Sequence, residues 1–356
     1  MSKLLYVVVS LITFNLHLLA ADPITPQFAD FVIPEFQFNE GASFKELRLH
    51  YCTIGKPQRD AQGNINNAVL VMHGTTGSSS SLLRDEFVLE LFAKGQPLDS
   101  SRFFIVIPDA IGHGKSSKPS DGLHAKFPHY GYEDMVRAQH LLLKDGLKVH
   151  HLRLVMGTSM GGMHTWLWGQ RYPDFMDALL PLASLPTQIS GRNRVWRRLI
   201  CDAIRNDPTW MNGEYGKQPQ SLRTVAQMMF LVGSNPVIRQ QEAPTRKEAD
   251  KQIDQYIANA MRTMDANDVL YAVESSSDYD PAPGLEKIKA PLLAINFADD
   301  LINPPELGVL EKEVKRLPRG KAVVVPFSKD SRGHGTHTIA AVWKHYLVEL
   351  LKESAR

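Results

Sequence analysis

The stretch Leu154-Val155-Met156-Gly157-Thr158-Ser159-Met160-Gly161-Gly162 decides the fold of this chain. Its first half is apolar and of strand length, and its second half is a Gly-x-Ser-x-Gly turn that leads into a segment of helical period. A serine on such a sharp turn needs glycines on both sides, because side chains there would collide. The turn lifts the hydroxyl above the sheet, so the pattern predicts that Ser159 is a nucleophile. An ordinary tight turn is the alternative.

Outward from this turn, apolar runs of strand length alternate with longer segments of helical period. This alternation is typical of an α/β fold in which a mostly parallel sheet is covered by helices on both faces. Residues 31–38 and 46–53 are expected to open the fold as an antiparallel hairpin. The predicted buried strands are 68–72, 103–108, 152–156, 178–182, 292–297 and 322–326, and the predicted crossover helices are 132–147, 162–172 and 337–352.

One long segment interrupts the alternation. Residues 186–287 are polar and carry helical periods at 195–205, 221–232 and 246–264. We interpret them as a helical cap inserted into one catalytic domain, which residues 22–185 and 288–356 form together. The length of 356 residues fits one large α/β domain with an insertion.

The N-terminus does not resemble the rest of the fold. Lys3 precedes an apolar run from Leu4 to Ala20, and Ala21 and Asp22 follow. This pattern predicts that residues 1–21 are a signal peptide and that the protein is exported to the periplasm or secreted. An uncleaved membrane anchor is the alternative, although the run of 17 residues is short for a span. No stable membrane partner is expected.

The composition excludes several classes of protein. Lys and Arg number 40 against 38 Asp and Glu, so there is no basic excess to bind nucleic acid. Two cysteines, Cys52 and Cys201, cannot build a disulfide framework or a four-thiolate zinc site. The histidines lack the spacing of metal ligands, so neither a metal nor a cofactor is predicted.

The acid that would serve Ser159 follows the predicted strand 292–297. A nucleophilic serine needs a base within hydrogen-bond reach and an acid that orients the base, and after this kind of turn the acid precedes the histidine. The strand ends in Asp299 and Asp300. We choose Asp300, because it lies one step further into the loop and leaves Asp299 to cap the strand.

The base is expected after the last predicted strand. His334 stands there between two glycines and is free to reach toward Ser159. His337 is the alternative, but we expect it to begin the final helix and to cap it.

Acyl transfer also needs two N–H groups that bind the developing oxyanion. The N–H of Met160 directly follows the nucleophile, and the loop after the strand 68–72 should supply the second donor. We assign that donor to Thr75 in the stretch 73–77; a glycine-rich turn without a ligand is the alternative.

Several segments share their residues with one known family: His73-Gly74-Thr75-Thr76-Gly77, Glu133-Asp134-Met135-Val136-Arg137-Ala138-Gln139, Ser159-Met160-Gly161-Gly162-Met163, Asn206-Asp207-Pro208 with Gly213-Glu214-Tyr215, and Asp265-Ala266-Asn267 through Asp278-Tyr279-Asp280. The chain resembles the α/β-hydrolase superfamily and, more narrowly, the homoserine O-acetyltransferase family. The resemblance implies an α/β-hydrolase fold. In that family the residues that match Ser159, Asp300 and His334 carry an acetyl group from coenzyme A to a hydroxyl.

Departures from this family concern the substrate. Cys201 stands where the family has an arginine implicated in holding the substrate carboxylate, and Gly335 replaces an aspartate suited to an ammonium. Residues 109–117 resemble ordinary hydrolases instead. Arg197, one helical turn before Cys201, is a minority candidate to replace the arginine. Otherwise it is expected on a solvated face of the cap together with Arg192, Arg194 and Arg198, and a binding site for an acidic partner is the alternative for these four residues.

These observations predict a serine-nucleophile acyl-transfer enzyme acting on a small-molecule ester or acyl substrate. The missing amino-acid partners favour water as acceptor, and therefore an esterase-like hydrolase. An O-acetyltransferase that uses acetyl-coenzyme A is the alternative within this class, and a non-catalytic binding protein on the same scaffold is the alternative from another class. A homodimer through the cap is left open.

Overall fold

The computed structural model describes residues 24–355. The predicted signal peptide at 1–21 lies outside the described residues. Among helices that are described, none is long and apolar enough to cross a membrane.

A single sheet of eight strands organises the described chain, in the order β1-β2-β4-β3-β5-β6-β7-β8. The first two strands form an antiparallel hairpin that pairs antiparallel with β4, and all remaining neighbours are parallel. This is the predicted mostly parallel sheet. The strands are β1 Gln27–Gln37, β2 Ser43–Ile54, β3 Ala68–Met72, β4 Phe104–Pro108, β5 Leu154–Thr158, β6 Leu179–Leu182, β7 Leu292–Phe297 and β8 Gly320–Val325.

Helices cover both faces of the sheet, as the buried strands require. Along β3, Leu70 and Met72 face one layer of core and Val69 and Val71 face the other. The first layer is closed by α2 Tyr132–Leu141, α3 Met160–Arg171 and α9 Val309–Val314. The second is closed by α1 Asp85–Leu91 and α10 Ala340–Glu353.

Between β6 and β7 the chain leaves the sheet and forms a group of helices with a separate apolar core. Ile200 and Leu222, which lie on two different helices of the group, are both fully buried in this core. We call the group the cap. Its helices are α4 Gly191–Arg205, α5 Ser221–Gly233, α6 Pro236–Glu242, α7 Arg246–Thr263 and α8 Ala266–Glu274.

Some boundaries differ from those predicted. β5 ends at Thr158 rather than at 156, so the strand runs up to the serine. The prediction that His337 begins the final helix is wrong, because Gly335–Thr338 forms a separate 3-10 turn before α10. The sequence pattern also misses α1, α6, α8 and α9, since helices this short show too few turns for a period to stand out.

Close packing of β5, α3 and β3 depends on glycine. A Cβ on Gly157 would lie 2.2 Å from the carbonyl oxygen of Gly161. A Cβ on Gly161 would lie 2.3 Å from the carbonyl oxygen of Met72, and the Gly161 N–H donates to the carbonyl of His73 at 3.0 Å. The turn at Ser159 is therefore pressed against the end of β3.

We expect Gly161→Ala to lower the free energy of unfolding by about 2 kcal/mol or more, because the added methyl group meets rigid backbone. Gly216→Ala is the matched control, since a Cβ there has no atom within 4 Å. Urea denaturation of both variants measures the difference. Equal stability of the two variants would contradict the packing argument.

Candidate active site

Ser159 occupies a strained position between β5 and α3. Its backbone has φ 54° and ψ −112°, a conformation that residues other than glycine rarely adopt. The side chain of Ser159 is partly exposed, whereas its neighbours on β5 and α3 are buried. The turn therefore presents one hydroxyl at the carboxyl edge of the sheet.

The structure brings the three predicted residues together. The Nε2 atom of His334 lies 2.8 Å from the Ser159 Oγ, and its Nδ1 atom lies 2.8 Å from the Asp300 Oδ2. With a proton on Nδ1, Nε2 is free to accept the serine proton, which is the arrangement a general base requires. Catalysis by these residues stays a prediction.

Asp300 is completely buried, yet it is surrounded by hydrogen-bond donors. Its Oδ1 atom accepts from the backbone N–H groups of Ile302 at 2.8 Å and Asn303 at 3.1 Å. Burial raises the pKa of Asp300, but the charge and hydrogen bond of His334, with these two N–H groups, outweigh it and lower the pKa overall. The carboxylate is therefore ionised and can stabilise a protonated His334.

Asp299 does not cap the strand as predicted. Its Oδ2 atom accepts the backbone N–H of Gly333 at 2.6 Å and the side-chain amide of Asn235 at 3.1 Å. Among the described residues, Asp299 forms no hydrogen bond with the His334 ring. The choice of Asp300 over Asp299 as the partner of His334 agrees with the geometry.

His337 lies beside His334 but makes no hydrogen bond to Ser159. The two rings are 5.1 Å apart and nearly perpendicular. Burial lowers the pKa of His337 to about 3, and the charge of His334 acts in the same direction. His337 therefore stays neutral and packs beneath the base.

The proposed oxyanion donors lie on either side of the serine. Met160 is the first residue of α3, and neither its N–H nor that of Thr75 has an acceptor among residues 24–355. The backbone beside Thr75 approaches Ser159 closely, since a Cβ on Gly74 would lie 3.3 Å from the Ser159 Cβ. Both N–H groups are thus available, and their role stays a prediction.

Arg197 lies inside the fold and not on the solvated face of the cap that the sequence predicts. It is only 2% exposed, whereas Arg192, Arg194 and Arg198 are exposed. Its guanidinium donates to Asn193 at 3.0 Å and Ser276 at 3.2 Å and stacks on Trp196, and no carboxylate pairs with it within the described chain. The sequence held a signal, because Ile200, Cys201 and Ile204 follow Arg197 at helical spacing and are all buried.

The surroundings of Tyr132 connect Arg197 to the serine. Burial raises the pKa of Tyr132, while the charge of Arg197 and the hydroxyl of Thr75, which both lie beside it, lower it. The Tyr132 hydroxyl and the Thr75 Oγ1 are buried without a well-formed hydrogen bond among the described residues. A cation and a hydroxyl group therefore lie beside Tyr132, and the hydroxyl belongs to Thr75, the proposed oxyanion donor.

Residues 24–355 contain no group of three or more His, Cys, Asp or Glu side chains placed to hold a metal ion. Cys52 and Cys201 are both buried free thiols.

Comparison with known proteins agrees with this geometry. A family model described as the alpha/beta hydrolase fold matches residues 67–328. A probable acyltransferase of Methanothermobacter thermautotrophicus is 31% identical over 295 residues, covering 83% of this chain and 89% of that protein. A homoserine O-acetyltransferase of Geotalea daltonii is 29% identical over 340 residues, covering 84% of this chain and 90% of that protein. The solved structure of the acetyl esterase MekB superimposes with a TM-score of 0.78 at 24% identity, over 92% of this chain and 97% of that chain.

The fold and the serine turn define an enzyme of the α/β-hydrolase class. The chain belongs to the family with the alpha/beta hydrolase fold. The predicted fold class and the resemblance to homoserine O-acetyltransferases are confirmed.

We expect Ser159→Ala to lower kcat by about 10,000-fold or more while the protein stays folded, because it removes the attacking oxygen and nothing buried. Ester hydrolysis and thermal unfolding measure the two effects. Activity near that of the unchanged protein would place the nucleophile elsewhere.

Asp300→Asn should lower kcat by about 10,000-fold, because the amide no longer holds His334 in the required tautomer. Asp299→Asn is the matched comparison on the neighbouring residue, and we expect a far smaller loss. A larger loss of kcat in Asp299→Asn than in Asp300→Asn would contradict the assignment of Asp300 as the acid.

Proposed function

We propose that this protein is an esterase-like hydrolase that forms an acyl-enzyme on Ser159. The continuous hydrogen-bonded series from Asp300 through His334 to Ser159, with both distances at 2.8 Å, carries the proposal. Relatives and structural neighbours that are acyltransferases and esterases support the same chemistry.

In the first half of the reaction, the Ser159 oxygen attacks the ester carbonyl carbon while its proton passes to His334 Nε2. The N–H groups of Thr75 and Met160 bind the negative oxygen of the tetrahedral intermediate. His334 then gives this proton to the leaving alkoxide, so an alcohol departs and an acyl ester remains on Ser159. Asp300 stabilises the protonated His334 throughout.

In the second half, an acceptor that carries a hydroxyl takes the place of the departed alcohol. Water loses a proton to His334, attacks the acyl carbon and displaces the Ser159 oxygen, which regains the proton. The products are a carboxylic acid and the free enzyme. An alcohol in place of water would give a new ester by the same steps, so the acceptor alone separates hydrolysis from transfer.

Two positions favour water over an amino-acid acceptor. Burial raises the pKa of the Cys201 thiol to about 11, so this side chain is neutral where a carboxylate would need a cation. Gly335 offers no carboxylate to an ammonium. Export, which we also propose from residues 1–21, points the same way, because acetyl-coenzyme A is a cytosolic donor.

One observation favours a second candidate function, O-acyl transfer to a hydroxyl compound that carries a carboxylate. Arg197 is buried without a carboxylate partner in the described chain, and a buried charge is costly unless it is paired. A ligand carboxylate beside Tyr132 and Thr75 would provide the missing pair. The ammonium of homoserine would still lack a partner at Gly335.

We expect that adding homoserine does not change the rate at which a short-chain ester is hydrolysed, because half of its charge stays unpaired. Mass spectrometry of the acyl-enzyme, with and without homoserine, follows both its decay and its products. Faster decay together with O-acetylhomoserine would identify a transferase and overturn the hydrolase proposal.

Arg197→Met separates the two candidates further. For a hydrolase of neutral esters we expect kcat to change less than about threefold, because the side chain does not touch the reacting atoms. A transferase to carboxylate-bearing acceptors would instead lose most of its transfer and keep its hydrolysis. Product ratios from the same acyl-enzyme experiment measure this partition.

A further inference from the structure

Two N–H donors from different parts of the fold meet at one oxygen of Asp299. The Oδ2 atom accepts from the backbone of Gly333, directly before His334, and from the side chain of Asn235 in the cap. Asp299 and Asp300 are consecutive, and so are the residues they hold. The loop that carries the proposed base is therefore fixed at two adjacent points, one on the ring and one on the backbone.

The same contact joins this loop to the cap. Asn235 is the N-cap of α6, and its Oδ1 accepts the N–H groups of Val237 at 2.7 Å and Ile238 at 3.2 Å. A Cβ on Gly333 would lie 3.1 Å from the Asn235 nitrogen, so the loop rests directly on the cap backbone. A shift of α6 would therefore be transmitted to Gly333.

Asp299 is buried and bonds to residues distant in sequence, so capping of its own strand does not explain its position. The residue is 7% exposed, it forms no ion pair in the described chain, and its Oδ1 atom has no hydrogen-bond partner there. A buried carboxylate without a cation costs free energy, which hydrogen bonds from Gly333 and Asn235 offset. Both of these bonds lead to the base or to the cap.

We propose that Asp299 is a positioning residue that sets the place of His334 through Gly333 and couples that place to the cap through Asn235. The inference rests on the proposed function, since it assumes that His334 is the base for Ser159. Asp299 itself touches neither the substrate nor the reacting atoms.

The first test compares two substitutions of Asp299. Asp299→Ala leaves both donors unpaired, and we expect kcat for a short-chain ester to fall about 100-fold while KM changes less than threefold, because a base displaced by about 1 Å loses that much. Asp299→Asn keeps one oxygen to accept from Gly333 and should stay within about tenfold of the unchanged enzyme. Recovery in the conservative variant marks positioning rather than charge.

The second test breaks only the link to the cap. Asn235→Ser keeps an oxygen to cap α6 but removes the amide donor to Asp299 without adding a second carboxylate beside it, and we expect kcat to fall about tenfold. Asp207→Asn is the control: Asp207 accepts from Thr209 and Ser221 within the cap and does not contact the catalytic loop. It should lower thermal stability but change kcat less than about twofold.

Proton NMR of the His334 Nδ1–H, which is hydrogen-bonded to Asp300, reports position directly. Its downfield resonance should broaden or shift in Asp299→Ala and Asn235→Ser and stay in place in Asp207→Asn. Unchanged kcat and resonance in Asn235→Ser would overturn the coupling to the cap, even where Asp299→Ala fails to fold. Full activity in Ser159→Ala would instead refute the proposed function, and with it the role of His334 as the base that Asp299 positions.

Discussion

The hydration lost by one carboxylate is the constraint on which the arrangement depends. Asp300 has no exposed surface and no lysine or arginine pairs with it in the part of the chain described. Its charge is supported by three N–H groups, from Ile302, Asn303 and His334. The loop after β7 must turn tightly to supply two of them, and the loop after β8 must bring the imidazole to supply the third. Once Nδ1 is bound in this way, Nε2 faces the serine.

At the other end of the hydrogen-bonded series, the strained backbone of Ser159 is a second constraint. A positive φ at a serine costs free energy, and packing of α3 against the end of β3 keeps the turn from relaxing. The proposed nucleophile and its proposed base are thus held by separate parts of the sheet.

Much of the site was predictable because it depends on short segments. The turn around Ser159 is defined by adjacent glycines, and the order of serine, acid and histidine along the chain is fixed by the order of the strands. The position of Asp300 one step into the loop followed from chain geometry alone. Such features need no knowledge of distant residues.

What the sequence did not predict depends on contacts across the fold. Asp299 looked like a strand cap, because its partners Gly333 and Asn235 lie far away in sequence on either side. Arg197 looked like part of a charged surface, although the apolar residues at helical spacing around it indicated burial. In both cases a polar side chain in an apolar setting was the informative signal, and composition alone concealed it.

The insertion of the cap between β6 and β7 also determines when Ser159 and His334 can come together during synthesis. Leu179 of β6 pairs with Leu292 of β7, so closing this part of the sheet must bring together segments on opposite sides of the whole cap. Contacts so distant in sequence form slowly, because the loop entropy is lost before the pairing is gained. Ser159 leaves the ribosome before the cap, whereas Asp300 and His334 leave it only after the whole cap. A chain that ends within the cap therefore carries Ser159 without the proposed base, and the hydrogen bonds among Ser159, His334 and Asp300 form only once β7 and β8 have joined the sheet.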